Sequence, residues 1–213
     1  MRRAAVSSLF AGILGLIVIA APAVAADPQP PDIAFAKRML AGGLPKPKAY
    51  ACFVRRYDAA HLAQHPLQKV SVMKLLITAE YDADFKTFEY SFRLGVNFRD
   101  RPGDFDSSGE CGKAPTVRNA DTDPPVAAGV DFECDVDCDG GGVTVNLADN
   151  DGSVIVKLPD RIRIWKGKSA DEAAMTALMA GADDKAFRLD RAAASECTPL
   201  VTDRKELAAM RHK

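Results

Sequence analysis

Phe88, Tyr90, Phe92, Leu94, Val96 and Phe98 occupy every second position of one stretch, and Glu89, Ser91, Arg93, Gly95 and Asn97 fill the positions between them. Successive side chains of a β-strand point to opposite faces, so this pattern specifies an antiparallel strand with one face in a core and one in water. A helix would scatter the same six apolar residues around its circumference. Upstream, Met73, Leu75, Ile77 and Ala79 repeat the spacing, and the polar Tyr81-Asp82-Ala83-Asp84 lies between the two runs. The pair reads as a long hairpin.

A second β series follows at residues 130–138, 143–147, 153–158 and 161–165. Its breaks are Asp139-Gly140-Gly141-Gly142, Asp149-Asn150-Asp151-Gly152 and Pro159-Asp160. Asp-Gly pairs suit tight turns because those turns need positive φ. A first strand is expected at 50–57 and a last one at 187–189. Short helices are expected at 32–40 and 58–64, the second ended by His65 because a residue before proline is pushed out of the α region. Ser169-Ala170-Asp171-Glu172 has capping-box form and predicts a helix over 171–180, closed by Gly181. Residues 100–126 are turn-rich and read as an irregular excursion. The expected fold is therefore mainly β: an antiparallel barrel or two-sheet sandwich of seven to nine strands, with one or two short helices and disulfide staples. The length of the alternating strand favours the barrel.

Arg2 and Arg3 precede an apolar run at 9–21, and Ala23-Val24-Ala25 offers an A-x-A cleavage site. These are the parts of a secretory signal peptide. The run is shorter than the roughly 20 residues that span a bilayer. The expected organisation is a signal peptide at 1–25 and a Pro-rich leader with a short helix at 26–49. A single β domain follows at 50–200, with a polar tail at 201–213. The expected address is periplasmic or secreted, after cleavage near Ala25, with no membrane span in the mature chain.

That address governs the five cysteines, Cys52, Cys111, Cys134, Cys138 and Cys197. In an oxidising compartment they imply two bridges and one odd thiol. Were 132–138 all strand, Cys134 and Cys138 would stand about 13 Å apart at ~3.3 Å per residue. A disulfide needs Cα atoms within about 7 Å. The two therefore require different partners, and Cys111 and Cys197 are the candidates. Cys52, among Ala51, Phe53 and Val54, is the expected odd thiol.

Charge is distributed in blocks. Residues 104–151 hold 12 acids against only Lys113 and Arg118, whereas 27–103 and 152–213 are each net basic. The mature chain lacks the basic stripe of a nucleic-acid binder. Its acidic block suits a cation or a basic protein or peptide drawn in by long-range attraction. Asp131, Glu133, Asp135, Asp137 and Asp139 are the candidate binding residues, since alternation sends them to one wet face.

Asp135-x-Asp137-x-Asp139-Gly140 also matches the opening of a calcium loop, but its twelfth position is Asn146 where a glutamate is needed. The expected cofactor is none, with calcium as the possible exception. His61-x-x-x-His65 places two imidazoles at helical i, i+4 spacing, which suits zinc or copper, but the Glu of a metalloprotease motif is missing. No Gly-x-Ser-x-Gly occurs, and a Cys52 thiol near His61 is the sole nucleophile candidate. The reading leans away from an enzyme.

In general build, a small exported β domain with disulfides, the chain resembles bacterial periplasmic inhibitors of lysozyme. It lacks their Ser-Gly and Tyr-rich loop signature, and no function is carried over. The expected function is a non-catalytic binding protein acting through the acidic 104–151 surface. The alternatives are a lipocalin-like carrier holding a small apolar ligand inside the barrel, and a purely structural envelope protein.

Overall fold

The computed structural model describes residues 31–41, 48–85, 87–113, 130–148, 150–167 and 172–211. The expected signal peptide, the Pro124-Pro125 stretch of the excursion and His212 lie outside the described residues.

Ten antiparallel strands form one sheet: β1 (Lys48–Arg56), β2 (Val70–Asp82), β3 (Thr87–Phe98), β4 (Phe105–Lys113), β5 (Val130–Asp135), β6 (Gly142–Leu147), β7 (Ser153–Lys157), β8 (Arg161–Lys166), β9 (Met175–Met179) and β10 (Ala186–Ala192). Eight of them run β3-β2-β1-β10-β7-β6-β5-β4, and β4 pairs back onto β3, closing a barrel. Closure pairs every strand of the ring on both sides, so a short-stranded sheet is left without an open edge there. The barrel, not the sandwich, is thus the fold. β8 and β9 extend the sheet beyond β4 as a hairpin.

The alternating run sits where its pattern requires. β2 and β3 pair over almost their whole length, with Leu75 opposite Leu94 and Ile77 opposite Phe92. Their inward residues join Phe53, Phe132, Val145, Val156 and Phe187 in one buried cluster. Burying each large apolar side chain contributes roughly 1.5–3 kcal/mol. An eight-stranded barrel is just wide enough for side chains to fill it, and these do.

Both ends are closed. Helix α1 (Pro31–Met39) covers one end: Phe35 packs edge-on against Tyr90 and Phe132, with ring centroids 5.4 and 4.5 Å away. Arg38 pairs with Asp151 at 2.8 Å beside the β6–β7 turn. Arg191 reaches back to accepting carbonyls of Met39 and Arg38 at the helix C-terminus, where orphan carbonyls need donors. At the opposite end the β8–β9 hairpin lies across the opening, sending Ile162, Ile164 and Leu178 into the core.

A second apolar cluster lies outside the barrel wall. The 3-10 segment Ala194–Leu200 and helix α3 (Arg204–Arg211) cover Cys52, Val54 and Leu76 with Cys197, Leu200, Val201 and Met210. Arg93 clamps α3 through a two-pronged pair with Glu206, at 3.0 and 2.9 Å.

Three expectations are corrected. The excursion contains β4, whose pattern is muted because Ser107 and Gly109 take inward positions. The helix expected over 171–180 is instead a 3-10 turn at Glu172–Ala174 followed by β9. Pairing with β8 outweighs the helical propensity of an Ala-rich segment.

The third correction concerns the cysteines. The bridges are Cys52–Cys197 and Cys111–Cys134, and Cys138 is the free, exposed thiol. Cys111 and Cys134 stand directly opposite each other across β4 and β5. Cys197 meets Cys52 because the 3-10 segment packs on the outer face of β1. Cys138 has no such neighbour, since β5 ends at Asp135 and the chain turns at Cys138 and Asp139, both with positive φ.

Candidate functional site

Three acids of the middle block, Glu110, Glu133 and Asp135, share the outer wall formed by β4 and β5. Cys111 and Cys134 face inward, so the adjacent register pair, Glu110 and Asp135, faces outward together. Glu133 is two residues before Asp135 on the same face, opposite Gly112 on one side and Thr144 on the other. Glu110, Glu133 and Asp135 are all exposed. Asp131 holds the β5 position opposite Asn146. Asp137 and Asp139 follow in the exposed turn, on either side of Cys138.

Opposite charges across a strand pair stabilise a sheet, and like charges directly opposite destabilise it. Here two carboxylates face each other. Among the described residues, none of Glu110, Glu133, Asp135, Asp137 and Asp139 makes an ion pair. Three nearby arginines are committed elsewhere, and Lys157 lies one strand further on, opposite Thr144. Arg93, opposite Ser108 on β3, is held by Glu206. Arg163 donates to the backbone carbonyls of Cys138 (2.7 Å) and Asp137 (3.4 Å), and Arg161 donates to that of Asp139 (3.2 Å).

Those bonds fasten the acidic turn to the β8–β9 hairpin. Gly141 completes the joint, with φ of 69° and an isolated bridge to Ile162. A Cβ at Gly141 would collide with the Arg161 carbonyl, so only glycine fits. Beside the joint runs an open groove of about 470 Å³, lined by Glu133, Asp135, Asp139, Thr144, Asp160 and Arg161. The acids therefore sit on a braced, concave surface.

The two histidines lie elsewhere. Helix α2 (Ala59–Gln64) starts at Asp58, whose carboxylate accepts the His61 amide at 2.8 Å, and ends with His65 as its C-cap. The His61 and His65 rings stack, with centroids 4.4 Å apart and planes 25° from parallel. The lone pair of an imidazole lies in its ring plane, so stacked rings do not aim two nitrogens at one ion. Among the described residues no group of three or more His, Cys, Asp or Glu side chains gathers to hold a metal ion. Asp135 ends β5, and Asp137 and Asp139 lie in the turn that follows it. The Cys52–His61 nucleophile reading is corrected, because Cys52 is locked in a disulfide.

Inside the barrel, two hydroxyls are buried with no hydrogen-bond partner among the described residues: Tyr90 Oη and Ser107 Oγ. Burial pushes the Tyr90 phenol up to about 12. Neither hydroxyl is legible as special in the sequence, where Tyr90 belongs to the alternating run and Ser107 to the turn-rich stretch.

Comparison with protein-family models, curated proteins and solved structures returns no match to this chain. What stands on structure is a disulfide-stapled antiparallel barrel whose two bridges fit an oxidising, exported setting. Among the described residues no helix is long and apolar enough to cross a membrane.

Proposed function

We propose that the protein is an exported, non-catalytic binding protein that receives a basic protein or peptide on the outer face of β4–β6. One observation carries this reading: Glu110 lies opposite Asp135, with Glu133 beside them, and none of the three has a counter-ion among the described residues. A folded chain retains such repulsion at a cost, and residues that break a local rule concentrate at functional sites. A lysine- or arginine-rich segment laid in the adjacent groove would relieve it. The reading places the protein in the periplasm or outside the cell.

The fold is also compatible with a lipocalin-like carrier or a structural envelope protein. The carrier reading would need α1 and the Phe35–Tyr90–Phe132 cluster to give way before a ligand entered. The surface reading needs no rearrangement and is preferred for that reason. It is tested by isothermal titration of the oxidised protein with a Lys-rich peptide, using Glu110→Gln, Glu133→Gln, Asp135→Asn as the triple variant. Loss of most of the affinity in that variant supports the reading; unchanged affinity removes it.

A further inference from the structure

A second concave site lies between α2 and the start of β10, away from the acidic wall, with a volume of about 420 Å³. Pockets of this size hold small molecules. One wall is a column of three rings: Tyr57 on His61 at 4.6 Å and 30°, then His61 on His65. The column is fixed from behind. Gln68 Nε2 donates to the Val70 carbonyl at 2.7 Å, which turns its Oε1 toward His61 Nε2 as an acceptor at 3.0 Å. Gln68 is itself buried.

The rest of the lining is rich in donors. Arg55, Lys185 and Arg188 line the pocket against one lining carboxylate, Asp183, whose Oδ2 already accepts the Leu67 amide at 3.2 Å. Arg55 and Arg188 share Asp190, at 3.3 and 3.4 Å, and Arg55 also lies over the Tyr57 ring. Lys185 has no ion-pair partner among the described residues. The pocket therefore offers three permanent cations, several unspent N–H groups and a preformed aromatic wall, and few acceptors of its own.

We propose that this pocket binds a small organic anion carrying a flat ring. Its phosphate or carboxylate group sits on Lys185 and Arg188, and its ring lies against the His61–His65 column. Charge-assisted hydrogen bonds supply the anchor, and ring contact supplies selectivity over a bare anion.

The test is calorimetric titration of the oxidised protein with phenyl phosphate and, separately, with inorganic phosphate. Phenyl phosphate should bind about tenfold more tightly than inorganic phosphate. Lys185→Gln with Arg188→Gln should weaken phenyl phosphate about tenfold. His65→Ala, which keeps the permanent charges, should erase the preference between the two probes. Neutralising Glu133 and Asp135 should change neither affinity. Absence of binding by both probes, or affinities unmoved by the Lys185 and Arg188 changes, overturns the proposal. Equal affinity for the two probes overturns its aromatic half.

Discussion

Glu110 and Asp135 face each other across β4 and β5, one register step from the buried Cys111–Cys134 bridge. The bridge fixes the two strands, so the carboxylates cannot separate by slipping register. Repulsion is built into the wall.

Removing one of these charges should therefore stabilise the free protein. Asp135→Asn is expected to raise stability by about 0.2–1 kcal/mol at low salt, with the gain shrinking as salt screens the pair. Thermal melts at two ionic strengths check this. A destabilised variant at low salt would mean that Asp135 has a favourable partner.

The bridges should differ sharply from the free thiol in what they contribute. Cys52 and Cys197 are 145 residues apart, and closing so long a loop limits the unfolded chain most. Replacing both with serine should cost roughly 2–5 kcal/mol in denaturant unfolding. Cys138→Ser, at an exposed turn, should stay within about 0.5 kcal/mol.

The Tyr90 phenol gives a pH dependence. Its folded value is raised to about 12 from an ordinary 10.0. Above pH 10 the unfolded chain gives up this proton while the folded chain keeps it, so the stabilising contribution is full below pH 10 and is lost as pH rises toward 12. Tyr90→Phe should remove that alkaline limb. It should also leave neutral-pH stability unchanged or slightly higher, because the hydroxyl has no partner to lose. Denaturant melts at pH 8 and pH 11 compare the two proteins.

Helix α3 should depend on one ion pair. Glu206 is largely buried against Arg93 (10 % and 30 % side-chain exposure), and the contact is two-pronged. Glu206→Gln should cost on the order of 1–3 kcal/mol and speed amide exchange in 204–211 before it does so in the barrel.

Much of this fold could be read from the chain, for physical reasons that also mark where the reading stops. Period-2 alternation in β2 and β3 survives because one face is core and the other water. β4 was hidden because the barrel is narrow opposite Leu94 and Phe92, and Ser107 and Gly109 fill those inward places without looking apolar. β9 was hidden because Met175–Met179 has no strand pattern of its own and is held by β8. The acidic residues were legible as a charged face. Their lack of counter-ions was not, since it depends on where Arg93, Arg161 and Arg163 are spent. Strand continuity past Asp135 misled the cysteine assignment, and only the turn at Cys138 corrects it. The pocket beside α2 joins residues 55–68 to 182–188, a separation that spacing along the chain does not encode.

The most direct measurement of the proposed function is the salt dependence of binding a Lys-rich peptide, made on three forms of the oxidised protein. These are the native form, the triple variant at Glu110, Glu133 and Asp135, and a charge-matched control changed at the exposed Asp84, Asp100 and Asp104. Native and control affinities should fall together as salt rises, while the triple variant should bind at least about tenfold more weakly at low salt and show a flatter slope. Equal loss in the control and the triple variant would contradict the proposed function, because net charge rather than the β4–β6 wall would then govern binding.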